Sequence, residues 1–293
     1  MDRPSSRREF ARTGLVSASA LLLSRRLRGE PPQSHPPSGR IHLGLVTYNV
    51  AKDWDLETLL RNCREAGLTG VEFRTTHAHG VERTLPLPRR AEVRRQCQEA
   101  GMAQTSLGSV CEFHSPDPAI VRKNVEDCRE WVLLARDIGA RAVKVRPNGL
   151  PEGVPEEKTL DQIGRALAEC GAFASDHGVE VWLEAHGEGT KLPARMRRIL
   201  DACGHPAVGI TWNSNDTDVV NGSVAPSFEL LRRFVRCCHI TDLGSGYPYA
   251  ELFRLLRAAG FAGFTLCEYP DPVPAEQGAA WLRAYRARWE ELR

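Results

Sequence analysis

The chain has 293 residues, 42% hydrophobic, 26% charged and 7% aromatic, with a formal charge of +2. That is ordinary globular composition, with ample length for one large core. The charge is uneven: residues 1–40 hold eight arginines against three acids, so the body that follows is mildly acidic and offers no electrostatic case for binding nucleic acid or an anionic membrane.

The basic character belongs to a leader. Arg7-Arg8-Glu9-Phe10 precedes a short apolar run, Thr13 to Leu23, a pattern that resembles a twin-arginine export signal. The run falls short of the about 20 residues that a membrane-spanning helix needs. Glu30 to Gly39, with four prolines, reads as a linker. Residues 1–40 are therefore expected to be a signal and linker, residues 41–293 the folded domain, and the location periplasmic or otherwise exported. Such export carries proteins already folded, which suits an enzyme that loads a metal before leaving the cytoplasm. The nine cysteines are scattered singly apart from Cys237-Cys238, with no CxxC spacing. Most fall within apolar patterns, where a thiol acts as a small hydrophobe, so neither a disulfide framework nor a thiolate zinc site is expected.

From Ile41 onward, short apolar runs alternate with amphipathic helical windows, the pattern of a parallel sheet with crossover helices. Strands are predicted at residues 41–48, 70–75, 103–110, 142–146, 179–184, 208–213, 235–240 and 263–268. Helices are predicted at 55–66, 89–100, 120–138, 158–177, 194–203, 227–234, 249–259 and 277–292. Eight evenly spaced units in this length predict an α/β fold, a closed (β/α)8 TIM barrel. No GxGxxG or P-loop is present, so nucleotide binding has no support.

Four strand ends in the second half carry ligand-type residues: Glu184, Asn213, His239 and Glu268. In a parallel barrel these ends surround one side of the mouth, where ligands bind. Three oxygen donors and one imidazole suit Mn2+, Mg2+ or Co2+, and Zn2+ is also accommodated. Two carboxylates neutralise the ion, which is then free to polarise a substrate carbonyl or hydroxyl.

These residues carry a resemblance. Glu184 in LEAHG, Asn213 in TWNSND, His239 in CHITD and Glu268 in LCEYP resemble the metal-binding set of the xylose-isomerase-like TIM-barrel superfamily of sugar isomerases and epimerases. The resemblance spans Ile41 to the C-terminal end. More narrowly, TTHAHGVE, GSVCEFHSPDP, VKVRPNGLP and TWNSNDTDV resemble an exported branch of that family. The resemblance implies a divalent metal on Glu184, Asn213, His239 and Glu268. It also implies proton abstraction next to a sugar carbonyl through an enediolate, with Glu184 and Glu268 moving the protons. One departure is Asn213, where the family commonly has Asp. An amide keeps an oxygen ligand and removes a charge, so the ion would be held more weakly unless Asp216 supplies the carboxylate.

Further candidates are weighed against ordinary structural roles. His186 lies two residues beyond Glu184 on the same face and could bind substrate or orient a ligand. Lys144 and Arg146 share a face of the fourth strand, where substrate contact and an internal ion pair with Glu184 or Glu72 are equal readings. His77 is placed in a loop at the mouth, within reach of substrate. Trp54, Trp212, Tyr247 and Tyr249 are better explained by packing than by sugar stacking. The expected partner is a small sugar or glycoside, and the mature chain could form a homo-oligomer. Two other functions are carried forward: a lyase that eliminates across a 3-keto-glycoside at the same site, and a non-catalytic carbohydrate-binding barrel in which Asn213 has disabled metal binding. An abasic-site endonuclease is disfavoured, since too few ligand residues are in place and the body is not basic.

Overall fold

The computed structural model describes residues 40–293; the expected twin-arginine leader and most of the linker lie outside the described residues. Eight strands form a closed parallel barrel in sequence order: β1 (His42–Val46), β2 (Gly70–Arg74), β3 (Gln104–Glu112), β4 (Ala142–Arg146), β5 (Glu180–Glu184), β6 (Val208–Asn213), β7 (Val235–Ile240) and β8 (Phe264–Cys267). β1 pairs with β8 to close the ring. Among the described residues, eight helices pack outside: α1 (Leu56–Ala66), α2 (Leu87–Glu99), α3 (Pro118–Ile138), α4 (Glu156–Asp176), α5 (Pro193–Cys203), α6 (Ala225–Leu231), α7 (Tyr249–Ala258) and α8 (Gly278–Leu292). The predicted TIM barrel is the observed fold.

Alternation along the strands sorts the side chains. In β2, Val71 and Phe73 join the apolar layer beneath the helices, while Glu72 points to the other face. In β4, Val143 and Val145 pack outward and Ala142 inward; in β5, Val181 and Leu183 pack outward and Trp182 inward. Cys237, Phe264 and Leu266 complete the inner plug with Val46. A strand's period of two then delivers Lys144, Glu184 and His239 to the barrel interior, above that plug. Gly70 makes room for it: a Cβ there would lie 2.4 Å from the Phe264 ring.

Boundaries shift in ways the local chemistry explains. β3 runs two residues past its predicted end and carries Glu112 within the strand, where it pairs in register with Arg146. α6 starts at Ala225, with Pro226 in its first turn, and stops at Leu231. It cannot reach the predicted Phe234, whose carbonyl accepts from Ile210 N at the start of the β6–β7 ladder. α1 ends on Gly67 with φ 72°, a left-handed cap that glycine adopts without strain. All nine cysteines are free and buried, an apolar placement that the sequence predicts for most of them. No helix among the described residues is long and apolar enough to cross a membrane.

Candidate metal centre at the barrel mouth

The centre is built around His239 on β7, fully buried inside the barrel. Its Nδ1 lies 3.4 Å from Glu184 Oε1 and 3.3 Å from Glu268 Oε2. Its Nε2 lies 3.3 Å from Glu72 Oε2. Glu184 ends β5 and Glu268 directly follows β8, where its amide donates to Ile240 O. Glu184, His239 and Glu268 each offer one ligand atom, and these atoms lie within 4.8 Å of one another. Asn213 ends β6, in register with His239 and half-buried. Asp216 stands apart: its side chain is 83% exposed and paired with Lys191.

Two cations brace the carboxylates. Lys144 Nζ donates to Glu184 Oε2 at 2.5 Å, and the pair is shut off from solvent. Of the two readings for Lys144, the structure displays the internal ion pair. Arg74 Nη1 sits 3.7 Å from Glu268 Oε1, with its guanidinium over the Tyr48 ring. The grip on Glu184 is therefore much tighter than that on Glu268.

Burial disfavours charge at every one of these groups, yet their mutual attraction prevails. Burial raises the Glu184 carboxyl, but the Lys144 charge and His239 hold it well below the usual carboxylate range. Glu72 is lowered against its own burial by His239 and Lys144. For His239, burial lowers the imidazole, while Glu268, Glu72 and Glu184 together keep it well above its ordinary value. A cation is thus strongly favoured at this point.

The donor set fits a divalent metal. His239 Nδ1 is a buried nitrogen with no well-formed hydrogen bond, although it faces two carboxylates. Such an atom is poised to coordinate an ion that the two carboxylates neutralise. Glu184, His239 and Glu268 could hold it.

A second network surrounds His186. Its Nδ1 meets Asn148 Oδ1 at 2.8 Å. The amide oxygen can only accept, so Nδ1 carries the proton and Nε2 is left as an acceptor. Asn148 also donates to Glu112 Oε1 at 2.7 Å, and Glu112 takes an ion pair from Arg146. Arg146 therefore pairs with Glu112, a partner that its place in the sequence does not reveal. Asn148 has φ 61°, and Gly187 packs so close that a Cβ would lie 2.6 Å from Asn148 Cα. The Pro147-Asn148-Gly149 stop after β4 and the glycines after Glu184 are the sequence signals of this contact.

His77 accepts or donates a 3.0 Å bond with Thr47 Oγ1 beside Arg74. Its neighbour His79 is buried, with Nε2 on Arg74 O and Nδ1 accepting from Val81 N. Burial, then His77, pushes His79 down to about 4. Only the neutral ring can accept from Val81, so protonation opposes the folded loop. Because the folded value lies below the unfolded one, the stabilisation is complete above about pH 6.5 and is lost as pH falls toward 4. We expect thermal melts between these limits to lose up to about 3 kcal/mol of stability through this group. His79→Asn, which keeps an acceptor near Val81, should flatten that part of the profile; an unchanged profile would refute the assignment. Trp54, Trp212 and Tyr249 are each 1% exposed and hydrogen-bonded within the packing, as predicted over sugar stacking.

A (β/α)8 barrel with a buried carboxylate–imidazole cluster at the carboxyl ends of its strands defines the class. The chain belongs to the xylose isomerase-like TIM barrel family, whose model matches residues 60–285. No curated protein matches it in sequence. Among solved structures it is similar to L-ribulose 3-epimerase, with TM-score 0.72 and 18% identity over 86% of this chain and 94% of that one. It is similar to the apo form of 3-keto-D-glucoside 4-epimerase from E. coli, with TM-score 0.69 and 17% identity over 86% and 99%. The IOLI protein with a bound zinc atom gives TM-score 0.72 and 16% identity over 86% and 98%. At these identities the likeness is one of fold.

Proposed function

We propose that this chain is a metal-dependent sugar isomerase or epimerase that moves a proton next to a carbonyl. The observation that carries the proposal is His239 Nδ1, buried and facing Glu184 and Glu268 at the mouth of the barrel. The names of the similar structures, two epimerases of keto-sugars and one protein with bound zinc, support the same reading. A bound divalent ion would supply a Lewis acid that polarises the substrate carbonyl and acidifies the neighbouring C–H.

The chain's own residues would do the rest. Glu268, held only loosely by Arg74, is the better proton acceptor. Glu184, clamped by Lys144, is the poorer base; in this reading it takes a proton from the Lys144 ammonium 2.5 Å away and passes it to the substrate carbon, leaving Lys144 to be reprotonated with the proton that Glu268 took. Return to the same carbon from the other face gives epimerisation; return to the neighbouring carbon gives isomerisation. Arg74 and Lys144 keep positive charge near the oxygen on which negative charge develops. His186, through its free Nε2, and His77 would contact substrate hydroxyls. The leader places this chemistry outside the cytoplasm in our proposal, where glycosides are at hand.

The test is solvent deuterium incorporation. The protein would be incubated with Mn2+ in D2O against aldoses, ketoses and 3-keto-glycosides and followed by NMR. Deuterium entering beside a carbonyl is the expected result, and the product separates isomerase and epimerase from an eliminating lyase. Absence of exchange together with absence of bound metal would replace this reading by a carbohydrate-binding barrel.

A further inference from the structure

The metal-dependent reading leaves one buried acid of the cluster unused. Glu72 lies on β2, which is not a neighbour of β7 in the barrel. It is nonetheless fully buried against His239, on the side away from Glu184 and Glu268. Its Oε2 faces His239 Nε2 at 3.3 Å and receives a 3.4 Å bond from Ser106 Oγ; its Oε1 has no partner. The barrel makes space for it: a Cβ on Gly108 would lie 2.9 Å from Glu72 Oε1. A buried carboxylate is costly unless its charge is used, and the one ring atom it meets is the nitrogen that faces away from the candidate ligands.

We infer that Glu72 is a positioning residue for metal capture, and the inference rests on the proposed function above. A carboxylate can only accept, and both ring nitrogens face carboxylates, so once an ion occupies the Glu184–Glu268 side Glu72 holds the remaining ring proton on Nε2. That fixes the ring tautomer, locks the ring plane and leaves Nδ1 as the atom offered to the ion. The negative charge also makes Nδ1 a better donor, as a carboxylate behind a ligating histidine does in general. Because Asn213 brings no charge, the donor strength of His239 matters more here than in a site with three ligating carboxylates.

The experiment uses the metal alone. Mn2+ affinity would be measured by calorimetry for the full chain and for Glu72→Gln. Histidine 15N spectra of the Zn2+-loaded protein would report which ring nitrogen is coordinated. The expected results are coordination through His239 Nδ1 with the proton on Nε2, and a 10- to 100-fold weaker Mn2+ affinity for the variant. A merely structural role would lower the melting temperature of the metal-free protein and leave both readouts unmoved. Glu72→Asp, which keeps the charge and shortens the reach to His239, serves as a second variant and should weaken Mn2+ binding less than Glu72→Gln does. Coordination through Nε2, or unchanged affinity in a folded Glu72→Gln protein, overturns the inference. Failure of the unaltered chain to bind Mn2+ or Zn2+ overturns the metal-dependent reading itself, and this inference with it.

Discussion

Glu268→Gln is expected to lower the rate of proton exchange by about 10^2- to 10^4-fold, the range for loss of a general base, while the barrel stays folded. The amide has the size and shape of the carboxyl, and the strand-end hydrogen bond from its backbone to Ile240 O is untouched. What disappears is the ability to accept a proton, together with one ligand charge, so the comparison is made at saturating Mn2+. Glu268 is the group to lose, because its side-chain contacts are a 3.7 Å pair with Arg74 and the approach to His239. Glu184→Gln should also abolish exchange, but for mixed reasons: it removes a ligand charge and strands Lys144 at full burial. The two variants should therefore separate in thermal stability, with Glu184→Gln the less stable. Circular dichroism would confirm the fold and the D2O assay the loss. Full exchange in either folded variant would remove that residue from the proton path.

Lys144→Met should produce the largest change in stability. Methionine fills similar volume, yet it leaves Glu184 as a buried carboxylate without its 2.5 Å partner. Removing one member of a buried ion pair costs about 3–5 kcal/mol, mostly through the uncompensated charge left behind. For a chain of this size that amounts to a drop in melting temperature on the order of 10 °C in the presence of a chelator. Saturating Mn2+ should recover more stability in this variant than in the original chain, because the ion supplies the missing counter-charge and binds only the folded state. The contrast is Lys123→Ala on the surface of α3. Its partner is Asp127 at 2.6 Å, but the lysine side chain is 69% exposed. Such pairs contribute up to about 1 kcal/mol, and solvent screens them. A drop for Lys144→Met no larger than that for Lys123→Ala would mean that Glu184 is neutral in the folded chain.

The barrel is largely legible in the amino-acid sequence. Runs such as GVEFR and AVKVR alternate, so one face is apolar and the other carries Glu72, Arg74, Lys144 and Arg146, while EVWLE sets Trp182 and Glu184 together on the face opposite Val181 and Leu183. A period of two assigns these residues to a shared face without tertiary information. Helix limits are less legible where a cap or a ladder decides them, as at Phe234, whose carbonyl is drawn to Ile210. The leader's export signature remains an expectation from its own residues.

Partnership within the mouth is a different matter. The sequence by itself determined the eight strand-helix units, the inward face of each strand, and the grouping of Glu184, Asn213, His239 and Glu268 at strand ends. It could not say that Lys144 would take Glu184 while Arg146 took Glu112, because both cations lie on one face of one strand, two residues apart. Nor could it bring Glu72 of β2 to His239 of β7, 167 positions later in the chain. Strand tilt and stagger around the closed ring set which side chains share a level in the barrel. That geometry is a property of all eight strands together, and only the tertiary structure contains it.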